Sequence, residues 1–154
     1  MNDLILFAHP TLGVVGIMAS VWVLVEALNA SEANQQRIQV AAWTAAVCII
    51  LAYVVGGYWY VNFYSAEKAA ILKGPWPFAH NFFMETKEHV FFGLLVLAIL
   101  LPIVARQKLA KSWSAKAMTI AVAVLVIGNA FAMEGAGAVI NHGAKLAFQQ
   151  AGLK

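Results

Sequence analysis

Four histidines and one isolated glutamate are the side chains of this chain best suited to binding a metal or moving a proton: His9, His80, His89, His142 and Glu134. Imidazole titrates near neutral pH and is the commonest metal ligand. A carboxylate in an apolar run needs either a partner or a proton. Glu134 stands in such a run, NAFAMEGAGAVINH, with Asn129 and Met133 on overlapping faces and Gly135 and Gly137 thinning the helix beside it. In METKEHVFF, Glu85 and His89 are spaced i, i+4, which puts both on one helical face, where the carboxylate can orient the imidazole or share an ion with it. His9 precedes Pro10. Either the helix begins at Pro10 and His9 caps it, or HPTLGVVG projects the imidazole inward beside a flat face made by Gly13 and Gly16.

These residues are carried by membrane-type segments. A hydrophobic fraction of 62%, a charged fraction of 11% and a mean hydropathy of +0.77 lie outside the soluble range. Four stretches reach the ~20 residues needed to cross a hydrocarbon core. They are about 4–28, 40–64, 84–105 and 117–140, joined on one side by the short polar connections 29–39 and 106–116. The expected fold is therefore all-α: a single domain over residues 1–154, an up-down bundle of four transmembrane helices. The start, MNDLILFAHP, has no basic n-region, so it reads as a retained first span. Cys48, the one cysteine, falls inside the second span and reads as a packing residue.

Depth follows from the helical rise. His89 lies 17 residues from Arg106, His9 17 from Glu26, and Glu134 18 from Lys116. At 1.5 Å per residue each stands about 26 Å from the boundary that holds the short connections. Gly56 and Gly57, 19 and 20 residues from Arg37, bring the second span to the same level. All four helices thus place something distinctive near one edge.

Charge orients the bundle. The side with the short connections carries Arg37, Arg106, Lys108, Lys111 and Lys116 against Glu26 and Glu32. The other carries Lys68, Lys73, Lys87, Lys145 and Lys154 against Asp3, Glu67, Glu85, Glu88 and Glu134. Lys and Arg counts tie, but both arginines and the cluster RQKLAKSWSAK lie on the first side, which is expected in the cytoplasm. A bacterial inner membrane protein with both termini and the histidine-rich side facing the periplasm is the resulting expectation. On that side Ser65 to Phe83 mixes Trp76, Phe78, Phe82 and Phe83 with Pro75 and Pro77. It reads as an aromatic interfacial segment between helices 2 and 3, folded as a lid. His80 within it and His142 beyond the fourth span read as surface residues.

Two imidazoles from diagonally opposed helices are a standard way to hold a haem iron, with glycines making room for the macrocycle. With His9 and His89 so placed, the architecture resembles the small four-helix membrane b-type cytochromes, which pass electrons between quinol and a partner. That resemblance implies haem b with His9 and His89 as axial ligands, or with His142 or His80 replacing His9. It also implies Gly13, Gly56 and Gly57 beside the cofactor, and Glu134 as proton acceptor when a quinol is oxidised. An electron-transfer subunit is then expected rather than a stand-alone enzyme. No CxxCH for covalent haem is present.

The competing reading is a non-haem site for iron, copper, zinc or manganese, with His9, Glu85, His89 and Glu134 as ligands, serving catalysis or metal transport. A third is a structural small subunit of a larger membrane complex, and glycine-rich faces could equally pack a homo-oligomer. Hydrolase signatures such as G-x-S-x-G or H-E-x-x-H do not occur. The lack of a basic soluble domain excludes nucleic acid as a partner despite the net charge of +3.

Overall fold

A computed structural model describes residues 2–152, apart from the Asn2 and Asp3 side chains. The Asp3 and Lys154 charges counted above lie outside the described residues. The chain is all-helical: α1 (Asn2–Leu28), α2 (Gln35–Lys73), α3 (Glu85–Ala105, entered through a π-helical turn, Ala79–Met84) and α4 (Trp113–Gln150). Each is long and apolar enough to cross a membrane. Among the described residues, helix α1 packs on α2 and α4, α3 packs on α4 and α2, and α2 and α4 also meet.

Small residues make this packing possible. Ala41, Ala42, Ala45, Ala98, Ala105 and Ala123 are fully buried, whereas Phe7, Val61, Phe92, Val96 and Phe131 are exposed. A water-soluble bundle would place those large apolar side chains inside. Close backbone approach through small residues, with bulky side chains turned outward, is the pattern of helices that pack in lipid. At Gly16 a Cβ would come within 2.8 Å of the Ile49 side chain, so that side chain would have to shift to admit any larger residue there.

The two short connections are tightly knit. Asn34 is buried, and its amide donates to the Glu26 carbonyl and carboxylate and to the Asn29 carbonyl, closing the α1–α2 corner. Gln35 donates to the Ala105 carbonyl and accepts from the Leu109 backbone N–H. Lys116 donates to the Leu28 carbonyl at the C-terminus of α1, where the helix dipole favours a cation. The Ser112 hydroxyl caps α4 through the Ala115 N–H.

Of the two readings of His9, the structure shows the one without a helix start at Pro10, since α1 runs through that residue. Pro10 stands more than two turns inside α1, so it removes the helical donor to the Leu6 carbonyl within the helix. One expectation needs correction: the lid over residues 65–83 is mostly helix. SAEKAAILK is made of strong helix formers, so α2 continues unbroken to Lys73 and only Gly74–Phe78 turns the chain. At 39 and 38 residues, α2 and α4 are each nearly 60 Å long and outrun the ~30 Å hydrocarbon thickness. Their extensions enclose a second core of Tyr64, Ile71, Ala79, Met84, Ile140 and Ala144, with Trp76 packed against it.

Candidate functional site

Three polar side chains from three helices converge at the level marked by the glycines. His9 of α1, Lys87 of α3 and Glu134 of α4 line one cavity of about 20 Å³, together with Gly13, Ile49, Ala52, Phe91, Leu94, Ala130 and Met133. That volume admits about one water molecule. All three side chains are half-buried.

Each lies over a glycine of a neighbouring helix. A Cβ at Gly56 of α2 would stand 2.5 Å from His9 Nδ1 and 2.6 Å from its Cε1. One at Gly13 of α1 would collide with Glu134 Oε1, and one at Gly137 of α4 would meet Lys87 Nζ at 3.2 Å. Gly57 has open space instead. Of the three glycines expected beside a cofactor, Gly13 and Gly56 therefore accommodate site side chains and Gly57 does not.

The His9 ring is fixed by its Nδ1, 2.8 Å from the Ala52 carbonyl oxygen. A carbonyl only accepts, so Nδ1 carries the proton and donates it, leaving Nε2 with its lone pair. An imidazole held this way is ready to take a proton or a metal at Nε2.

The other expected residues lie elsewhere. His89 is exposed, and its Nδ1 stands 2.6 Å from the Glu85 carbonyl of its own helix. It is not brought to His9. The reason is helical register: Glu85, His89, Phe92, Val96, Ile99 and Ile103 form the outward stripe of α3, whereas Met84, Lys87, Phe91, Leu94, Ala98 and Leu101 form the inward one. Lys87 is thus the residue the reading of the sequence passed over. Its spacing on the Met84–Phe91–Leu94 stripe was the signal for it. Asn129 spends its amide on the Leu125 carbonyl of its own helix.

His80 is a correction: it is buried, not a surface residue. Its Nδ1 lies 3.1 Å from the Tyr64 hydroxyl, and its Nε2 lies 3.5 Å from Glu85 Oε1. His142 is exposed as expected, its ring edge-on to Trp76 at 4.9 Å. Cys48 is half-buried near Gly16. Among the described residues, no three His, Cys, Asp or Glu side chains converge closely enough to hold a metal ion. The set His9, Glu85, His89 and Glu134 is accordingly not assembled. Compared with protein-family models, curated proteins and solved structures, the chain matches none.

Proposed function

We propose that this chain is an integral membrane protein whose four helices cross the bilayer in alternating directions and whose His9–Lys87–Glu134 cluster exchanges protons. The observation that carries the reading is the seating of three titratable side chains over three glycines around one water-sized cavity. Ionisable groups inside a membrane bundle are costly, and they characteristically serve proton or ion pathways. Here Lys87 supplies a cation opposite the Glu134 carboxylate, and His9 Nε2 is a base with its ring already oriented. A single water between them can pass a proton from one to another. The arginine-bearing connections would face the cytoplasm, leaving the cluster near the periplasmic edge.

Infrared spectroscopy of the protein in lipid bilayers, titrated with acid, tests this directly. A protonated-carboxyl band that responds to pH in the wild type and vanishes in Glu134→Gln is the expected result. Identical carboxyl bands in wild type and variant across the titration would sink the proposal.

One observation favours electron transfer through haem b: His9 Nδ1 is tied to a backbone carbonyl, as in histidines that bind a metal through Nε2. The side chains as placed do not fit a bis-histidine haem, because neither His89, His80 nor His142 lines the His9 cavity and that cavity has the volume of a water molecule. The visible spectrum of purified protein, oxidised and then reduced with dithionite, separates the readings. A Soret and α band lost in His9→Ala would establish haem, and with it quinol as the electron donor to examine. A featureless spectrum leaves proton exchange alone.

A further inference from the structure

The second core holds a chemical group that the proton cluster does not use. Tyr64 is 2% exposed and His80 3% exposed, so their contact is sealed from water. Tyr64 Oη lies 3.1 Å from His80 Nδ1, and His80 Nε2 lies 3.5 Å from Glu85 Oε1. Glu85 stands at ion-pair distance from Nε2 without a hydrogen bond, and its negative charge favours a proton on that nitrogen. Nδ1 is then left as the acceptor for the tyrosine hydroxyl. The hydroxyl therefore donates to a base whose far side already faces a negative charge.

The rings around Tyr64 suit a further role. Tyr60 stacks on it at 5.1 Å and 25°, and Trp59 lies at 5.8 Å. The titratable groups near enough to act electrostatically on the pair are Tyr60, Glu67 and Lys68 of α2 and Glu85 and Glu88 of α3. One oxygen of Glu88 is buried with no hydrogen-bond partner. The Tyr64 phenol thus has a titratable base, a carboxylate beyond the base and aromatic rings against its face.

We propose that Tyr64 is a redox-active tyrosine that gives one electron to an outer-sphere one-electron oxidant while its hydroxyl proton passes to His80 Nδ1. The Tyr64 O–H bond breaks and a His80 N–H bond forms. The oxidant gains the electron, and the neutral tyrosyl radical remains beside an imidazolium that Glu85 stabilises. Re-reduction returns the proton to the same oxygen. This does not depend on the His9–Lys87–Glu134 reading, since the two sites share no residue.

The test uses the full chain in detergent, oxidised by flash-generated ruthenium(III) tris-bipyridine, with the radical followed by transient absorption and electron paramagnetic resonance. A tyrosyl signal that Tyr64→Phe removes, and that forms at a rate independent of buffer-base concentration, is the expected result. His80→Gln should slow its formation by at least about a hundredfold, the lower end of what a positioned base contributes. The idea fails if Tyr64→Phe leaves the signal unchanged, because another tyrosine is then the one oxidised. It fails equally if the wild-type rate rises with buffer base, because the proton then goes to solvent. That second measurement needs no variant, so it decides even where His80→Gln does not fold.

Discussion

Glu134 lies so close against Gly13 that a Cβ on residue 13 would collide with its carboxylate. The contact joins α4 to α1 at the level of the cavity, and it sets the first prediction. Gly13→Ala should swing the flexible end of Glu134 aside and lower stability in detergent by no more than about 1 kcal/mol, because the carboxylate can move and alanine favours the helix. Glu134→Ala in the same chain should recover most of that loss. A double-mutant cycle on thermal or denaturant unfolding measures the coupling, and simple additivity would mean that the two residues do not meet.

Gly56 and Gly57 make an internal control. A Cβ at Gly56 would enter the His9 ring, whereas one at Gly57 meets nothing within 4 Å. Gly57→Ala should therefore be neutral or stabilising by about 0.5–1 kcal/mol, because alanine loses less entropy in a helix. Gly56→Ala should destabilise and break the bond from His9 to the Ala52 carbonyl. Nitrogen NMR of labelled histidine reads that bond directly, through the loss of the fixed Nδ1–H tautomer.

The sequence disclosed the framework and misdirected part of the site, for reasons visible in particular residues. Four apolar runs marked four helices, since nothing else of that hydropathy and length forms. Depth along a helix was also legible, which is how His9, Gly56 and Glu134 came to one level. Rotation was used only to pair Glu85 with His89 and not to ask which face of α3 turns inward, and rotation separates Lys87 from His89, two residues apart on opposite stripes. The extension of α2 was masked by the aromatic and proline content of the residues beyond it, although Ser65–Lys73 contains no helix breaker. The Tyr64–His80 contact had no local signature, because it depends on how Gly74–Phe78 returns the chain against α2 and α4.

Register predicts opposite outcomes for neighbours on α3. His89→Ala should change stability by no more than about 0.5 kcal/mol, as expected for an exposed residue bonded only within its own helix. Lys87→Met keeps much of the side-chain volume but removes the cation facing Glu134, and it should lower the unfolding midpoint. Adding Glu134→Gln should restore part of the loss, since the carboxylate would no longer lack an opposing charge. Equal effects of His89→Ala and Lys87→Met would contradict the register of α3.

The α1–α2 corner separates a buried hydrogen-bond network from a surface ion pair. Asn34 is 5% exposed, its amide bonds Glu26 and Asn29, and its carbonyl oxygen accepts from the Ser31 N–H at 2.8 Å. Asn34→Ala leaves several of these groups unsatisfied and should cost about 1–3 kcal/mol. Arg37, by contrast, holds Glu26 at 2.9 Å from a side chain that is 59% exposed. Arg37→Ala should cost less than about 1 kcal/mol. Salt distinguishes the two: the Arg37→Ala deficit should shrink as ionic strength rises and screens the pair, while the Asn34→Ala deficit should persist. Unfolding curves of both variants at low and high salt check this, and an Asn34→Ala effect as small and as salt-sensitive as that of Arg37→Ala would show that the corner is held by charge rather than by the buried amide.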